Sequence, residues 1–152
     1  MPRSVREIVQ GLARGIAATV AGVLLAGLTI AGVEWFGHRL YPPPAGLKAD
    51  DLEAMAAHVA AMPIGALLFV LLAWLLGVFL GGLLAALVAG RRPRLYAGVI
   101  AAVILLGAIA NFAMIPHPAW FMVATVLTLP LAGFAAAAIG SRSSAQPAAP
   151  AR

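Results

Sequence analysis

The sequence predicts an all-α integral membrane protein: a four-helix up-down-up-down bundle with a short amphipathic helix on its outer surface. Three observations predict it. Hydrophobic residues make up 63% of the 152 residues and charged residues only 10%, with a mean hydropathy of +1.02; a soluble fold needs far more polar surface. The apolar residues gather into four long runs, each near the roughly twenty residues that cross a bilayer core. The charges sort into alternate gaps. Arg3, Arg6, Arg14, Arg91, Arg92, Arg94, Arg142 and Arg152 lie before run one, between runs two and three, or after run four, whereas Asp50, Asp51, Glu53 and the three histidines lie in the other gaps or at their rims. Arginine marks the cytoplasmic side of a threaded chain, which places both termini in the cytoplasm.

Residues 1–14 carry Val5, Ile8, Val9 and Leu12 at helical spacing, with Arg3, Arg6, Glu7 and Gln10 between them. This predicts a cytoplasmic interfacial helix running into the first span. Span one covers about 15–36. Arg14 snorkels at its inner edge, Trp35 and Tyr41 mark the outer headgroup level, and Pro42, Pro43 and Pro44 stop any helix. The outer loop is 37–62. In it Asp50 is a helix cap with Asp51 and Glu53 in the first turn, and Leu52, Met55, Val59 and Met62 follow at spacings of three and four, predicting a surface helix over 51–62.

Span two covers about 63–89, with Pro63 as a first-turn residue. Gly90-Arg91-Arg92-Pro93-Arg94 forms a tight cytoplasmic turn. Span three covers about 95–115 and ends at the turn Pro116-His117-Pro118. Span four covers about 119–140, with Pro130 expected to kink it. The tail, 141–152, is rich in Ser, Ala and Pro and is predicted disordered. Pro63 and Phe79 match Pro118 and Phe134 at one offset, with Gly81-Gly82 opposite Ala136-Ala137, a weak internal echo.

Several function classes are excluded or made remote. The net charge of +5 suits anionic lipid better than nucleic acid, because the arginines are split among separate flanks without aromatic interleaving. The chain has no cysteine, so thiol chemistry is absent. The first run is longer than a signal-peptide core and lacks a small-x-small cleavage site. Arg14, Arg91, Arg92 and Arg94 are expected to contact lipid headgroups. Gly77, Gly81 and Ala85, with Gly82 on the adjacent stripe and Gly22 in span one, form the small-residue faces that let helices approach closely. Those faces serve packing within the bundle or a homo-oligomer seam.

Ionisable groups are nearly absent from the spans. Glu34 is the exception, and His38 follows it on the same helical face. Asn111 lies about a turn inside the outer end of span three, and His117 follows. If the helix ends are level, Glu34, His38, Asn111 and His117 share one outer layer, with His58 folding over it. Three readings stay open: a hydrogen-bonded polar cap, a proton- or substrate-handling site, and a metal site on Glu34, His38 and His117. No catalytic nucleophile and no resident cofactor is expected; whether a metal binds is left undecided.

Glu34-Trp35-Phe36-Gly37-His38 followed by Tyr41-Pro42-Pro43-Pro44, then Gly77-x-Phe79-x-Gly81-Gly82, then Pro116-His117-Pro118-x-Trp120, resembles a group of small four-helix bacterial inner-membrane proteins of uncharacterised function. The resemblance runs from span one to span four. It implies the four-helix layout and a bacterial origin, hence a bacterial inner-membrane location, and brings no catalytic residues. The chain lacks the mid-span glutamate of small multidrug exporters and the paired mid-span histidines of b-type haem proteins. The expected function is therefore a non-enzymatic accessory, assembly or lipid-organising membrane protein, working in the bilayer as a homo-oligomer or in a larger membrane complex. A small oligomeric transporter or channel using Glu34 and Asn111 is the alternative, and an outer-leaflet metal-binding or enzymatic site at Glu34, His38 and His117 is a second.

Overall fold

The structure, a computed structural model, describes residues 4–48 and 50–145. Five helices follow in order: α1 (Val5–Leu40), α2 (Leu52–Ala61), α3 (Ile64–Ala89), α4 (Pro93–Met114) and α5 (Ala119–Ala145). No strand occurs among the described residues. Helices α1, α3, α4 and α5 are each long and apolar enough to cross a membrane.

Local chemistry sets each boundary. Ser4 caps α1 by accepting the Glu7 amide at 3.3 Å, and Glu7 complements the positive end of the helix dipole. No proline interrupts the chain up to Leu40, so the interfacial segment and span one are one continuous helix. This helix passes the predicted span end and carries His38 and Arg39 in its last turn. The outer loop thus opens at Tyr41 rather than at residue 37, because Gly37 packs against Phe69 instead of breaking the helix. The cap of α2 is Asp51, not Asp50: its carboxylate accepts the Ala54 amide at 3.0 Å. Pro63 is the N-cap of α3 rather than a first-turn residue. Gly90 ends α3 in the left-handed conformation, φ +65°, which glycine adopts without strain. Arg92 is also left-handed, φ +53°, a conformation that costs a non-glycine residue about 1–2 kcal/mol. Pro93 then opens α4 at a position that needs no amide donor. Helix α5 passes through Pro130 and runs to Ala145, into the segment predicted as a disordered tail; just past Gly140 the Ser141 hydroxyl donates to the Ala137 carbonyl at 2.7 Å. Residues 146–152 and Arg3 lie outside the described residues.

Helix α3 is the hub. It packs against α1, α4 and α5, whereas α1 rests on α3 and touches α4 only lightly. The α1–α3 crossing is made by glycines. A Cβ on Gly22 would stand 2.8 Å from the Gly81 carbonyl oxygen and 2.9 Å from Ala85 Cβ, and one on Gly77 would stand 2.7 Å from the Ile30 side chain. Gly81 in turn lies against the Gly22 carbonyl. With Gly37 against Phe69 and Gly65 against Tyr41, contacts move up one helix as they move down the other. Between α3 and α5 they move together: Val78 meets Gly133, Gly82 meets Ala136 and Ala86 meets Gly140. These pairs fall at nearly the offset of the internal sequence echo.

The main core joins Leu67, Leu71, Trp74 and Val78 of α3 to Phe121 and Leu129 of α5. Hydroxyls within the helices fold back on their own backbone. Thr19, Thr29 and Thr128 donate to the carbonyls four residues earlier at 3.0, 2.8 and 2.6 Å, so each is satisfied without a second helix. Thr125, fully buried, forms no hydrogen bond through its hydroxyl.

Candidate functional site

At one end of the bundle, the Glu34 carboxyl of α1 points toward α3. Trp74 of α3 offers its indole N–H on the side of the carboxyl, and His38, one turn on, lies within electrostatic reach. A small cavity surrounds the pair, lined by Gly37, Tyr41, Met62, Ala66, Phe69 and Val70. Phe69 closes it against α1: its ring centroid lies 6.3 Å from Phe36 and 6.1 Å from Tyr41. The hollow's volume is about 20 Å³, close to the space one water requires. Neither a substrate nor a wetted channel fits there.

His58 reaches the same mouth from α2. It lines an adjoining hollow of about 240 Å³ that shares Tyr41, Met62 and Ala66 with the Glu34 cavity. His117 sits elsewhere. Its ring stacks on Phe121 at 5.4 Å with an interplanar angle of 17° and meets the edge of Phe112 at 5.1 Å. Its Nδ1 lies 2.7 Å from the Ile115 carbonyl oxygen; a carbonyl only accepts, so Nδ1 carries the proton. Trp74 packs on both Phe112 and Phe121, at 6.0 and 5.8 Å. The aromatic wedge of Trp74, Phe112 and Phe121 therefore lies between Glu34 and His117. Asn111 keeps its Oδ1 buried and without a hydrogen bond.

The predicted outer layer is thus split. The structure brings together Glu34, His38 and, at the rim, His58, and sets His117 beyond the aromatic wedge. Among the described residues no group of three His, Asp or Glu side chains could hold a metal ion, so the donor set of Glu34, His38 and His117 does not assemble. The sequence reading missed Trp74. A tryptophan this far from the start of its helix, rather than at the rim, is the signal that could have found it, because a buried indole N–H needs an acceptor.

The chain matches no protein-family model, no curated protein and no solved structure.

At the opposite end the four predicted headgroup arginines divide into two sets. Arg14, Arg91 and Arg92 line a crevice between the first turns of α1 and the α3–α4 turn. Arg94 lines a separate groove between α4 and α5, with Gly98, Pro130 and Phe134. Arg14 also completes α3: its Nε donates to the Val88 carbonyl at 2.6 Å. Helix α3 has no basic residue of its own in its last turn, so the guanidinium from α1 serves both an unpaired carbonyl and the negative end of the dipole. Arg14→Gln is expected to lower stability by about 1 kcal/mol, with Arg14→Lys losing less. Reversible unfolding in mixed micelles measures it; equal stability of all three proteins would show that the bond contributes nothing.

Proposed function

We propose that the chain is a non-enzymatic bacterial inner-membrane protein, an assembly or lipid-organising subunit, inserted as an up-down-up-down bundle. The opposed order of contacts between α1 and α3, and the shared order between α3 and α5, support that arrangement. The arginine end faces the cytoplasm, as the positive-inside rule requires. Arg39 and Lys48 fall on the other side, outnumbered there by Glu34, Asp50, Asp51 and Glu53; Arg39 lies over the Trp35 ring at 4.3 Å, a pairing suited to the interface.

One observation carries the non-enzymatic reading: the half-buried carboxylate borders a partly open hollow of only about 20 Å³, lined by Tyr41 and Phe69, too small to admit a substrate. A proton-coupled carrier needs its carboxylate to reach two aqueous faces in turn. A transporter using Glu34 and Asn111 together would need the two in one conduit, and the Trp74–Phe112 contact stands beside the carboxylate instead. Glu34 here fixes helix register, as a satisfied buried polar pair does. Close packing supplies the association that burial cannot supply in lipid, and the broad apolar faces of α1, α4 and α5 meet acyl chains or partner helices.

The experiment is proton flux in proteoliposomes carrying a pH-sensitive dye. Wild-type protein and Glu34→Gln are expected to give the same background leak and the same thermal unfolding. A flux present in wild type and lost in Glu34→Gln would replace this reading with proton-coupled transport.

A further inference from the structure

We propose that the crevice at the arginine end is a binding site for one anionic phospholipid, its phosphate held by Arg14, Arg91 and Arg92 and one acyl chain lying in the seam between α1 and α4. This deepens the lipid-organising reading and rests on the chain being inserted in a membrane.

Two adjoining hollows make the site. The first, of about 270 Å³, is the arginine crevice, which Glu7, Gly11, Leu12 and Tyr96 also line. The second, of about 340 Å³, continues along α1 past Gly15, Ile16, Thr19 and Val20. Leu12 and Tyr96 belong to both, so polar crevice and apolar seam form one path. The packing explains the opening. Helix α1 rests on α3 and only lightly on α4, Gly11 has no neighbour within 4 Å, and Gly15 lets the Tyr96 ring lie on the backbone of α1.

The charges match the shape. Glu7 is the one carboxylate lining the crevice, against three guanidinium groups. Arg14 is anchored through Nε on Val88, which leaves its other N–H groups at a fixed place. Arg92 is kept in a left-handed conformation that glycine would adopt freely. Guanidinium groups suit phosphate oxygens through paired hydrogen bonds, and the adjoining apolar seam accepts what a phospholipid carries below its phosphate.

The test uses the full chain, purified and delipidated in detergent, then titrated with phosphatidylglycerol or phosphatidylcholine of identical chains and read by native mass spectrometry. One phosphatidylglycerol is expected to bind in preference to phosphatidylcholine. Arg91→Gln should weaken it roughly fivefold, whereas Arg94→Gln, which removes the same charge outside the crevice, should leave it unchanged. Gly11→Leu fills the crevice without altering charge and should abolish the preference. Gly98→Leu, at an equally open glycine in the other groove, should not. Equal losses within either pair, or equal affinity for the two lipids, would overturn the site. Full displacement by glycerol phosphate would also overturn it, since the seam would then contribute nothing. Reporter fusions separate this result from the reading beneath it: an arginine end found outside the cell sinks the proposed topology, while a failed titration with that topology intact sinks the lipid site alone.

Discussion

Gly81→Leu is expected to detach α1 from the bundle. Gly81 lies against the Gly22 carbonyl and 3.2 Å, measured from an added Cβ, from the Ala26 amide nitrogen. These are backbone atoms, which cannot swing aside as a side-chain tip can, so the helices must separate along the whole crossing. Overpacking of this kind costs about 3 kcal/mol or more. The loss is direct because lipid is as apolar as the contact it replaces, leaving close packing as the main attraction between helices. Gly27→Leu is the matched control: Gly27 lies on the same helix as Gly22 with nothing within 4 Å, and its substitution should change stability by less than about 0.5 kcal/mol. Unfolding in mixed micelles, followed by tryptophan fluorescence, distinguishes the two. Equal midpoints for both variants would mean that the glycine crossing does not hold α1.

Trp74→Ala should have the second large effect. Trp74 is 9% exposed, packs on Phe112 and Phe121 and serves the Glu34 carboxyl. Its removal leaves a cavity in the hub of the bundle and strips a membrane-depth carboxyl of its donor, costing about 4 kcal/mol. A second variant separates the two causes. Trp74→Phe keeps most of the ring volume and removes the N–H, so its cost, about 1–3 kcal/mol, is that of an unpartnered acceptor. In Glu34→Leu the acceptor itself is gone. The double variant Trp74→Phe with Glu34→Leu should therefore be more stable than the sum of the single changes predicts. Strict additivity would show that the tryptophan and the carboxylate are not coupled.

Much of this was legible in the residues, and the illegible part has a physical reason. Apolar run length and the proline turns marked the long helices within a few residues, because bilayer thickness and donor loss act locally. The glycines of α1 and α3 stood out as close-approach faces, and they are where the two backbones touch. Glu34 and His38 were a pair from spacing alone, since one helix turn fixes them. Which helix neighbours which is not local. Glu34 and His117 could be placed at similar depth, but the wedge of Trp74 and Phe121 between them follows from α3 sitting at the centre. The division of the arginines was illegible for a related reason: Arg92 is the left-handed cap ahead of α4 and Arg94 lies in its first turn, so two residues close in sequence line different grooves.

The dependence of α1 on α3 has a consequence for biosynthesis. In a chain inserted as proposed, α1 is made before α3 and has no docking face until α3 has emerged, so it waits in lipid as a lone amphiphile. Completion of α3 then captures it, and a ribosome stalled before Ala89 would release an N-terminal segment with nothing to hold.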